Sequence, residues 1–294
     1  MTYTVIGGGF GLYGYLPALM AGGNRVLLPV KYRERIVGRT DLRQFDSRIT
    51  WVPTTEDGLR GAHSVIIATP PAVQSVLVRR VVNEFRNVKA LFLEKPLAES
   101  PSSATQLLNE LETHSMSATV GFLFLRCPWA EKLAIATKSS ASISVIWHFQ
   151  AHHFRHETQT WKRLHEQGGG PLRFYGIHLI ALLSSLGYSR VSESRLTREN
   201  GNDVTGWQAS FDGEALPTCS VEVETSSTST AFQVGVNSDA IVKMFDPFDD
   251  IPWQDWLVDR RVALLADLLG SETTNDFRFL RDVTTLWAGA EKSL

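Results

Sequence analysis

The sequence is poor in cysteine, in excess charge of either sign and in long apolar runs. Its only cysteines are Cys127 and Cys219, with no C-x-x-C pair, which is too few for a disulfide scaffold and lacks the spacing of a zinc site. The chain has 29 Lys+Arg against 31 Asp+Glu, a balance that argues against nucleic-acid binding and against a polybasic membrane-surface protein. No apolar run reaches the roughly 18 residues of a membrane helix. We therefore expect neither a nucleic-acid nor a membrane partner.

The first residues also lack a signal: 1–6 contain no basic region followed by an apolar stretch. We therefore expect no secretory signal peptide and a reducing, cytoplasmic location. What is present is a globular composition, with 43% hydrophobic and 20% charged residues over 294 positions. That length suits one large domain or two ordinary ones.

The first half alternates strand and helix patterns. Helical patterns follow the first strand and occupy 72–85 and 102–114. The short apolar runs that predict strands are 3–6, 25–30, 49–52, 63–69, 89–93 and 117–122. The middle runs are apolar without alternation, which is typical of parallel strands covered on both faces. The pattern predicts an α/β domain with a doubly wound parallel sheet.

The second half has a different pattern. Strict alternation predicts antiparallel strands with one covered face at 142–150, 218–224, 230–236 and 240–245. Helical patterns occupy 170–186, 253–269 and 276–292, and the Ser/Thr-rich stretch 225–230 predicts a hairpin turn. We place the domain boundary near residue 122, giving domains 1–122 and 123–294, the second an α+β domain with a largely antiparallel open sheet.

A glycine loop follows the first strand and opens a helix. Glycines in this context let the backbone approach a pyrophosphate, which the helix N-terminus attracts. The spacing is imperfect because Leu12 stands where G-x-G-x-x-G has its third glycine. The alternative interpretation is a tight turn in a domain that binds no nucleotide. The cofactor-binding candidates in the loop are Gly7, Gly9, Phe10, Gly11 and Leu12.

The end of the second strand indicates which nicotinamide cofactor binds. An acidic residue there would hold a ribose 2′-hydroxyl, but the first charged residues are Lys31 and Arg33. Cations suit a 2′-phosphate, so NADP(H) is favoured and NAD(H) remains an alternative. The other interpretation is that both side chains are solvated residues at a helix start.

Further motifs follow the later strands. Thr69-Pro70 ends the fourth predicted strand and Glu94-Lys95-Pro96 ends the fifth, at the sheet edge where ligands bind in open α/β folds. A triple glycine at 168–170 then leads to Tyr175, Gly176 and His178.

This ordered set resembles the Gfo/Idh/MocA oxidoreductases, named for glucose–fructose oxidoreductase and inositol dehydrogenase. The motifs are the glycine loop with Leu16-Pro17-Ala18-Leu19, Ala68-Thr69-Pro70, Glu94-Lys95-Pro96, and the triple glycine leading to His178. The resemblance covers nearly the whole chain. It implies an N-terminal Rossmann domain, a second domain whose open sheet often forms a homodimer interface, a nicotinamide cofactor and a sugar, nucleotide-sugar or cyclitol substrate.

The resemblance also implies roles for individual residues. Lys95 matches the family's active-site lysine and His178 its histidine, so these two are the catalytic candidates; Thr69, Pro70, Glu94 and Lys95 are implied to contact the cofactor. The sequence departs from the family at two positions. Phe174 stands where an aspartate precedes the histidine, and Ala181 replaces a second acid. Phenylalanine transfers no proton, so Lys95 or His178 must act without that acid.

Substrate-binding candidates come from the second half. Four histidines, at 148, 152, 153 and 156, lie within nine residues. Because 142–149 is predicted as a strand, their helical i,i+4 spacing is broken and we expect no metal site. Instead this segment is expected to face a cleft, and Cys127 is interpreted as structural. The candidates for contacting a small-molecule substrate are Arg126, His152, Trp161, Lys162 and Tyr175.

Two functional hypotheses remain. The first is an NAD(P)-dependent oxidoreductase that transfers a hydride to or from a small carbonyl, imine or sugar-like substrate. The second is a diverged relative without net redox activity, because Phe174 replaces the aspartate. Such a relative is a lyase, isomerase or cyclase that uses bound nicotinamide, or a non-catalytic binding protein.

Overall fold

A computed structural model describes residues 1–138, 141–199, 203–253 and 259–292, which form two compact units. Unit 1 comprises Met1–Leu97, Gln106–Gly121 and Ile251–Phe277. Unit 2 comprises Ala98–Thr105, Phe122–Asp250 and Arg278–Leu294. Within the described ranges, no helix has the length and apolar composition needed to cross a membrane.

The strands are β1 Thr2–Ile6, β2 Arg25–Pro29, β3 Ile49–Val52, β4 Ser64–Ile67, β5 Ala90–Leu93, β6 Ser117–Val120, β7 Ser142–Gln150, β8 Tyr188–Glu199, β9 Asp203–Gly213, β10 Thr218–Glu224, β11 Ser226–Val236 and β12 Asp239–Met244. The α-helices are α1 Leu16–Ala21, α2 Arg33–Val37, α3 Thr40–Arg43, α4 Thr55–Gly61, α5 Pro71–Glu84, α6 Pro101–Thr113, α7 Pro128–Ala136, α8 His152–Arg155, α9 Ile177–Ser185, α10 Arg261–Gly270 and α11 Arg278–Lys292. A π-helical segment at Gly11–Tyr15 leads into α1, and another at Pro171–Gly176 leads into α9.

Unit 1 is built on a six-stranded parallel sheet in the order β3-β2-β1-β4-β5-β6. The strand order reverses between β1 and β4, where Ile6 lies opposite Ile67. This is the switch point at which doubly wound sheets bind ligands. The prediction of a Rossmann-type parallel sheet is confirmed, because its buried strands Ser64–Ile67 and Ala90–Leu93 are covered throughout.

Unit 2 is built on a second six-stranded sheet in the order β12-β11-β7-β10-β9-β8. Only β7 and β10 run parallel, and the other neighbours are antiparallel. Along β7, Ile143, Val145 and Trp147 are buried, whereas the alternating Ser144 and His148 are only half-buried. The predicted largely antiparallel sheet with one covered face is confirmed.

Two local predictions were wrong. The stretch 225–230 is not a hairpin turn, because Ser226–Val236 is a strand that pairs with β7 and β12, and β10 is not its neighbour. The last-but-one helix begins at Arg261 rather than near 253, while 254–258 lie outside the described residues. Strands β8 and β9 had no sequence prediction. For β8 the reason is that it carries mostly exposed polar side chains and lacks apolar alternation.

The division into units differs from a single boundary near residue 122. The chain does pass from unit 1 to unit 2 between Gly121 and Phe122, but Ala98–Thr105 belongs to unit 2 and Ile251–Phe277 returns to unit 1. In unit 1, α10 packs against α1 and against the π-helical segment that precedes it.

Candidate active-site residues in the two units

The glycine loop combines close packing with an open surface. Gly7 has a φ of 136°, and a Cβ on it would lie 2.1 Å from the carbonyl oxygen of Ala68, so only glycine fits. A Cβ on Gly11 would lie 3.0 Å from Val5, which gives Gly11 the helix–strand packing role of the motif's third glycine. Leu12 is buried in the core. Gly9 is exposed with nothing within 4 Å of a Cβ, which leaves its backbone accessible to a ligand.

Two side chains that follow β2 contact this loop. The Tyr32 hydroxyl accepts a hydrogen bond from the Gly7 amide at 3.1 Å, and Arg35 Nη1 donates to the Gly8 carbonyl oxygen at 2.8 Å. Neither residue was a sequence candidate. The run of cations after β2 is the sequence signal that could have indicated Arg35. Because α2 starts at Arg33, Arg35 lies on a different face of that helix from Arg33.

The two predicted cations lie elsewhere. Lys31 Nζ donates to Thr55 Oγ1 at 2.9 Å, and Arg33 lies 3.4 Å from Asp46 with its guanidinium over the ring of Trp51. Among the three cations after β2, Arg35 is therefore the one with a direct hydrogen bond to the glycine loop.

The end of β4 supplies a hydroxyl suited to a ligand. Thr69 Oγ1 is buried and has no hydrogen-bond partner within the described part of the chain, an arrangement that is costly unless a bound group completes it. Pro70 is exposed and precedes α5. With exposed Gly9 on the neighbouring loop, these groups fit a dinucleotide, whose phosphates would take backbone N–H donors at the loop.

The Glu94-Lys95-Pro96 loop is held by a residue that the sequence prediction missed. Gln74, completely buried on α5, donates to the carbonyl oxygens of Glu94 at 2.7 Å and Leu97 at 3.1 Å, and accepts from the Glu94 amide at 3.1 Å. The Lys95–Pro96 peptide is cis, and Lys95 is half-buried. A buried glutamine bound to both ends of this turn fixes the position of Lys95 in unit 1.

The carboxylate before Lys95 belongs to a wider network in unit 1. The buried Tyr15 hydroxyl donates to Glu94 Oε1 at 3.1 Å, and burial together with Glu94 raises the pKa of Tyr15 well above its usual range. Arg261, from the returning C-terminal segment, is ion-paired with Asp259 and lies 4.5 Å from the ring centre of Phe10. This segment therefore places a cation beside the glycine loop, which no sequence motif indicated.

In unit 2 the triple glycine allows close backbone approach before α9. A Cβ on Gly169 would lie 2.2 Å from the Trp161 carbonyl oxygen, and Gly170 has a φ of 79°. His178 lies on α9, is 5% exposed and stacks on Phe124 with ring centres 4.9 Å apart. The catalytic candidate is thus presented by a buried helix against an aromatic ring.

Phe174 lies in a cluster of aromatic and cationic side chains. Its ring is edge-on to Trp161 at 5.2 Å and to Tyr175 at 4.8 Å, and Lys162 Nζ lies 5.0 Å from its centre. These four half-buried side chains form what we call the aromatic cluster. It brings together three of the predicted substrate residues, Trp161, Lys162 and Tyr175, around the position where the resemblance implies an aspartate.

An ion pair whose side chains are only 11% and 15% exposed anchors the segment that carries this cluster. Arg173 donates to both carboxylate oxygens of Glu291 on α11, at 2.7 and 3.1 Å, and His165 lies 3.1 Å from the same carboxylate. Burial raises the pKa of Glu291, but the bonds from His165 and Arg173 outweigh it and lower the pKa to about 2. Glu291 therefore remains ionised under ordinary conditions and fixes the start of the π-helical segment.

The remaining candidates lie in different settings. His152 is exposed on α8 with its ring 4.3 Å from that of His156, whereas buried His153 has its pKa lowered to about 4, by burial first and then by Lys162 and Arg163. Arg126 is half-buried in the helical turn Leu123–Arg126. Burial raises the pKa of the Cys127 thiol well above its usual range, which is consistent with a structural role.

Comparisons with known proteins give matches at the level of structure. No protein-family model and no curated protein matches the sequence. GenD2 from gentamicin A biosynthesis, solved with NAD, is 17% identical, with 100% of this chain and 93% of that chain covered and a TM-score of 0.72. KijD10, a 3-ketoreductase from Actinomadura kijaniata solved with NADP and TDP-benzene, is 16% identical, with coverages of 100% and 97% and a TM-score of 0.71.

A dehydrogenase is similar to the same extent. WlbA from Bordetella pertussis, solved with NADH and UDP-GlcNAcA, is 11% identical, with 100% of this chain and 96% of that chain covered and a TM-score of 0.70. At such identities the similarity establishes a shared fold. The chain therefore shares the fold of these three solved structures, with a parallel sheet in unit 1 and a largely antiparallel sheet in unit 2.

Proposed function

We propose that this protein is an NAD(P)-dependent oxidoreductase of the Gfo/Idh/MocA type, which transfers a hydride to or from a small carbonyl or sugar-like substrate. The observation that carries the proposal is the pairing, within unit 1, of an accessible glycine loop with a lysine turn. The loop leaves exposed Gly9 and the buried Thr69 hydroxyl available to a dinucleotide. The turn presents half-buried Lys95 from β5 of the same sheet.

In this proposal Lys95 is the proton-transfer group. When bound, the nicotinamide supplies or accepts the hydride at the substrate carbon. Lys95 Nζ takes the proton from the substrate hydroxyl during oxidation and returns it to the carbonyl oxygen during reduction. Because Phe174 provides no carboxylate to assist His178, we assign the main proton transfer to Lys95 and a substrate-binding or secondary proton-transfer role to His178.

We further propose that NADP(H) is preferred and that Arg35 is the cation responsible. Its guanidinium is exposed, hydrogen-bonded to the glycine loop at Gly8, and can also take a 2′-phosphate. In this assignment Arg35 replaces Lys31 and Arg33, whose side chains contact Thr55 and Asp46.

For the substrate, the aromatic cluster supports a compound with a flat or ring-shaped face and a negative charge. Trp161 and Tyr175 offer ring surfaces and Lys162 a cation. The similar structures KijD10 and WlbA were solved with TDP-benzene and UDP-GlcNAcA, so nucleotide-linked keto sugars are the first compounds to screen. A cytoplasmic homodimer or higher homo-oligomer is the proposed working form.

The test first measures NADPH binding by a fluorescence titration. It then measures NADPH oxidation in the presence of nucleotide-linked keto sugars as candidate substrates. We expect Lys95→Met to bind NADPH as the unmodified protein does and to lose about 100-fold or more in kcat, the scale of general acid–base catalysis. Lys89→Met is the matched control, because this exposed lysine precedes the same strand and its Nζ donates to the Arg86 carbonyl oxygen at 2.9 Å.

Two outcomes would count against the proposal. Unchanged turnover in Lys95→Met would remove the proton-transfer assignment. Tight NADPH binding without net oxidation by any compound of the screen would instead favour the diverged relative that uses nicotinamide without net redox change.

A further inference from the structure

Gln74 connects the two loops that follow the neighbouring strands β4 and β5 in unit 1. It lies on α5, which begins directly after Thr69-Pro70, and its backbone amide donates to the Pro70 carbonyl oxygen at 2.9 Å. Its side chain reaches the other loop, 94–97, which we call the lysine turn, and binds the carbonyl oxygens of Glu94 and Leu97. Since β4 and β5 are parallel neighbours, one residue holds both loops at the carboxyl edge of the sheet.

The carboxamide of Gln74 is fully used in this contact. Nε2 has two hydrogens and lies 2.7, 3.2 and 3.1 Å from the carbonyl oxygens of Glu94, Pro96 and Leu97, while Oε1 accepts from the Glu94 amide at 3.1 Å. The residue is 0% exposed. A carboxamide offers donors and an acceptor at one end without charge, so an apolar side chain of the same length leaves these buried backbone groups without those bonds, which is costly.

Lys95 lies inside the turn that Gln74 holds. The bonded carbonyl oxygens belong to one residue before it and two after it, so the backbone is fixed on both sides of the Lys95 Cα. Through α5 the same glutamine is also fixed relative to Thr69, whose buried Oγ1 is assigned to the dinucleotide. Proton transfer requires Nζ within hydrogen-bond distance of the substrate oxygen, and a misplacement of about 1 Å can cost about 100-fold in rate.

We propose that Gln74 is a positioning residue for the proposed hydride transfer and that it holds Lys95 at a set distance from the dinucleotide. It acts through the backbone of the lysine turn and transfers no proton itself, because a carboxamide does not titrate. This inference rests on the proposed function, since it concerns the lysine that is assigned there to proton transfer.

The first experiment uses Gln74→Met in the full chain, because methionine has a similar length and lacks the carboxamide. NADPH affinity is measured by fluorescence, kcat and KM by NADPH oxidation with a nucleotide-linked keto sugar, and the Lys95 side chain by NMR of ¹³Cε-labelled lysine. We expect NADPH affinity to be retained, kcat to fall about 100-fold with a smaller change in KM, and the Lys95 signal to shift while that of exposed Lys89 does not.

The second experiment uses Gln74→Glu and the pH dependence of kcat. At low pH the introduced carboxyl is protonated, so it donates one hydrogen bond to the lysine turn and accepts from the Glu94 amide. As the pH rises it ionises, loses its donor and faces carbonyl oxygens. We therefore expect Gln74→Glu to exceed Gln74→Met in kcat at low pH and to lose that advantage as the pH increases, while circular dichroism shows both variants folded.

The matched control is Ser75→Ala. This buried neighbour on α5 donates to the Pro71 carbonyl oxygen at 3.2 Å, a bond that stays within the helix, so we expect kcat and the Lys95 signal to be unchanged. If Gln74→Met does not fold, the comparison of Gln74→Glu at low and high pH makes the same test.

Three results would overturn the proposal. They are an unchanged kcat and Lys95 signal in Gln74→Met, losses of NADPH affinity and kcat by the same factor, and equal kcat values for Gln74→Glu and Gln74→Met at every pH. Failure of the proposed function is a different result: the unmodified protein would oxidise no NADPH, yet the Lys95 signal would still shift in Gln74→Met and confirm that Gln74 positions the lysine.

Discussion

On the glycine loop, the residue at the motif's third-glycine position is not the residue that performs the packing role of that glycine. The spacing places Leu12 at the third-glycine position, but the structure gives the close helix–strand contact to Gly11 and buries Leu12. The glycine requirement is met one residue early, so the departure at Leu12 does not remove the loop. Arg35, by contrast, belongs to no motif and still contacts the loop at Gly8. That contact depends on the helix that begins at Arg33.

A prediction at this scale concerns the choice between nucleotides. We expect Arg35→Ala to weaken NADPH binding about tenfold, or about 1.4 kcal/mol, because a charge-assisted bond to the 2′-phosphate is lost. NADH binding should be almost unchanged, since NADH has no such phosphate. The measurement is a pair of fluorescence titrations, with Arg33→Ala as the control because that side chain faces Asp46 and Trp51. Equal losses for NADPH and NADH would contradict the assignment to the 2′-phosphate.

Among the elements, α9 and the π-helical segment before it depend on α11. Glu291 on α11 accepts from Arg173, which also donates to the Glu99 and His165 carbonyl oxygens at 2.8 and 2.9 Å. All of these residues belong to unit 2. The last helix therefore fixes the segment that presents Phe174 and, one turn later, His178.

This anchor predicts a pH-dependent stability. The pKa of Glu291 is lowered to about 2, so its contribution is fully present above its unfolded pKa of about 4.3 and is lost as pH falls towards 2. The shift of roughly two units corresponds to about 3 kcal/mol. We expect Glu291→Gln to be less stable by about that amount at pH 7 and nearly as stable as the unmodified protein near pH 2. Denaturant unfolding at several pH values measures this difference.

The control for that series is Glu110→Gln. Glu110 pairs with Arg79 where both side chains are more than one-third exposed, so its loss should cost less than about 1 kcal/mol at any pH. A Glu291→Gln penalty that stayed constant from pH 7 to pH 2 would show that the ionised carboxylate is not the cause.

Elements with a strong apolar pattern could be predicted from the sequence, and polar ones could not. The bounds of Ile49–Val52, Ser142–Gln150 and Thr218–Glu224 are those expected from their apolar runs or alternation. Strand β8 was missed because pairing along β9, not its own side chains, makes it a strand. Long-range contacts also limit prediction of the site from sequence. Gln74 and Arg261 contact residues 20 or more positions away, and no local pattern encodes such contacts.

On the scale of the whole molecule, the chain passes between the two units several times, so a single boundary does not describe the division. The chain leaves unit 1 at Leu97, re-enters it at Gln106, leaves it at Gly121 and returns for Ile251–Phe277. In that returning segment, α10 packs on α1 and on Gly11–Tyr15, and the Thr274 carbonyl oxygen accepts from the Ala118 amide at 3.1 Å. Unit 1 is thus completed by residues more than 120 positions beyond the last strand of its sheet.

We therefore expect the fragment 1–122 not to fold stably by itself, although it contains all six strands of the parallel sheet. It lacks the buried α10 residues Val262, Leu265 and Leu268. At about 1.5–3 kcal/mol for each buried side chain, their absence removes roughly 5–9 kcal/mol, comparable to the whole stability of an ordinary domain. Circular dichroism and denaturant unfolding of the fragment should show a broad transition or none, whereas the full chain should unfold cooperatively and gain stability with NADPH. A fragment that unfolds cooperatively with the midpoint of the full chain would show instead that the returning segment is dispensable.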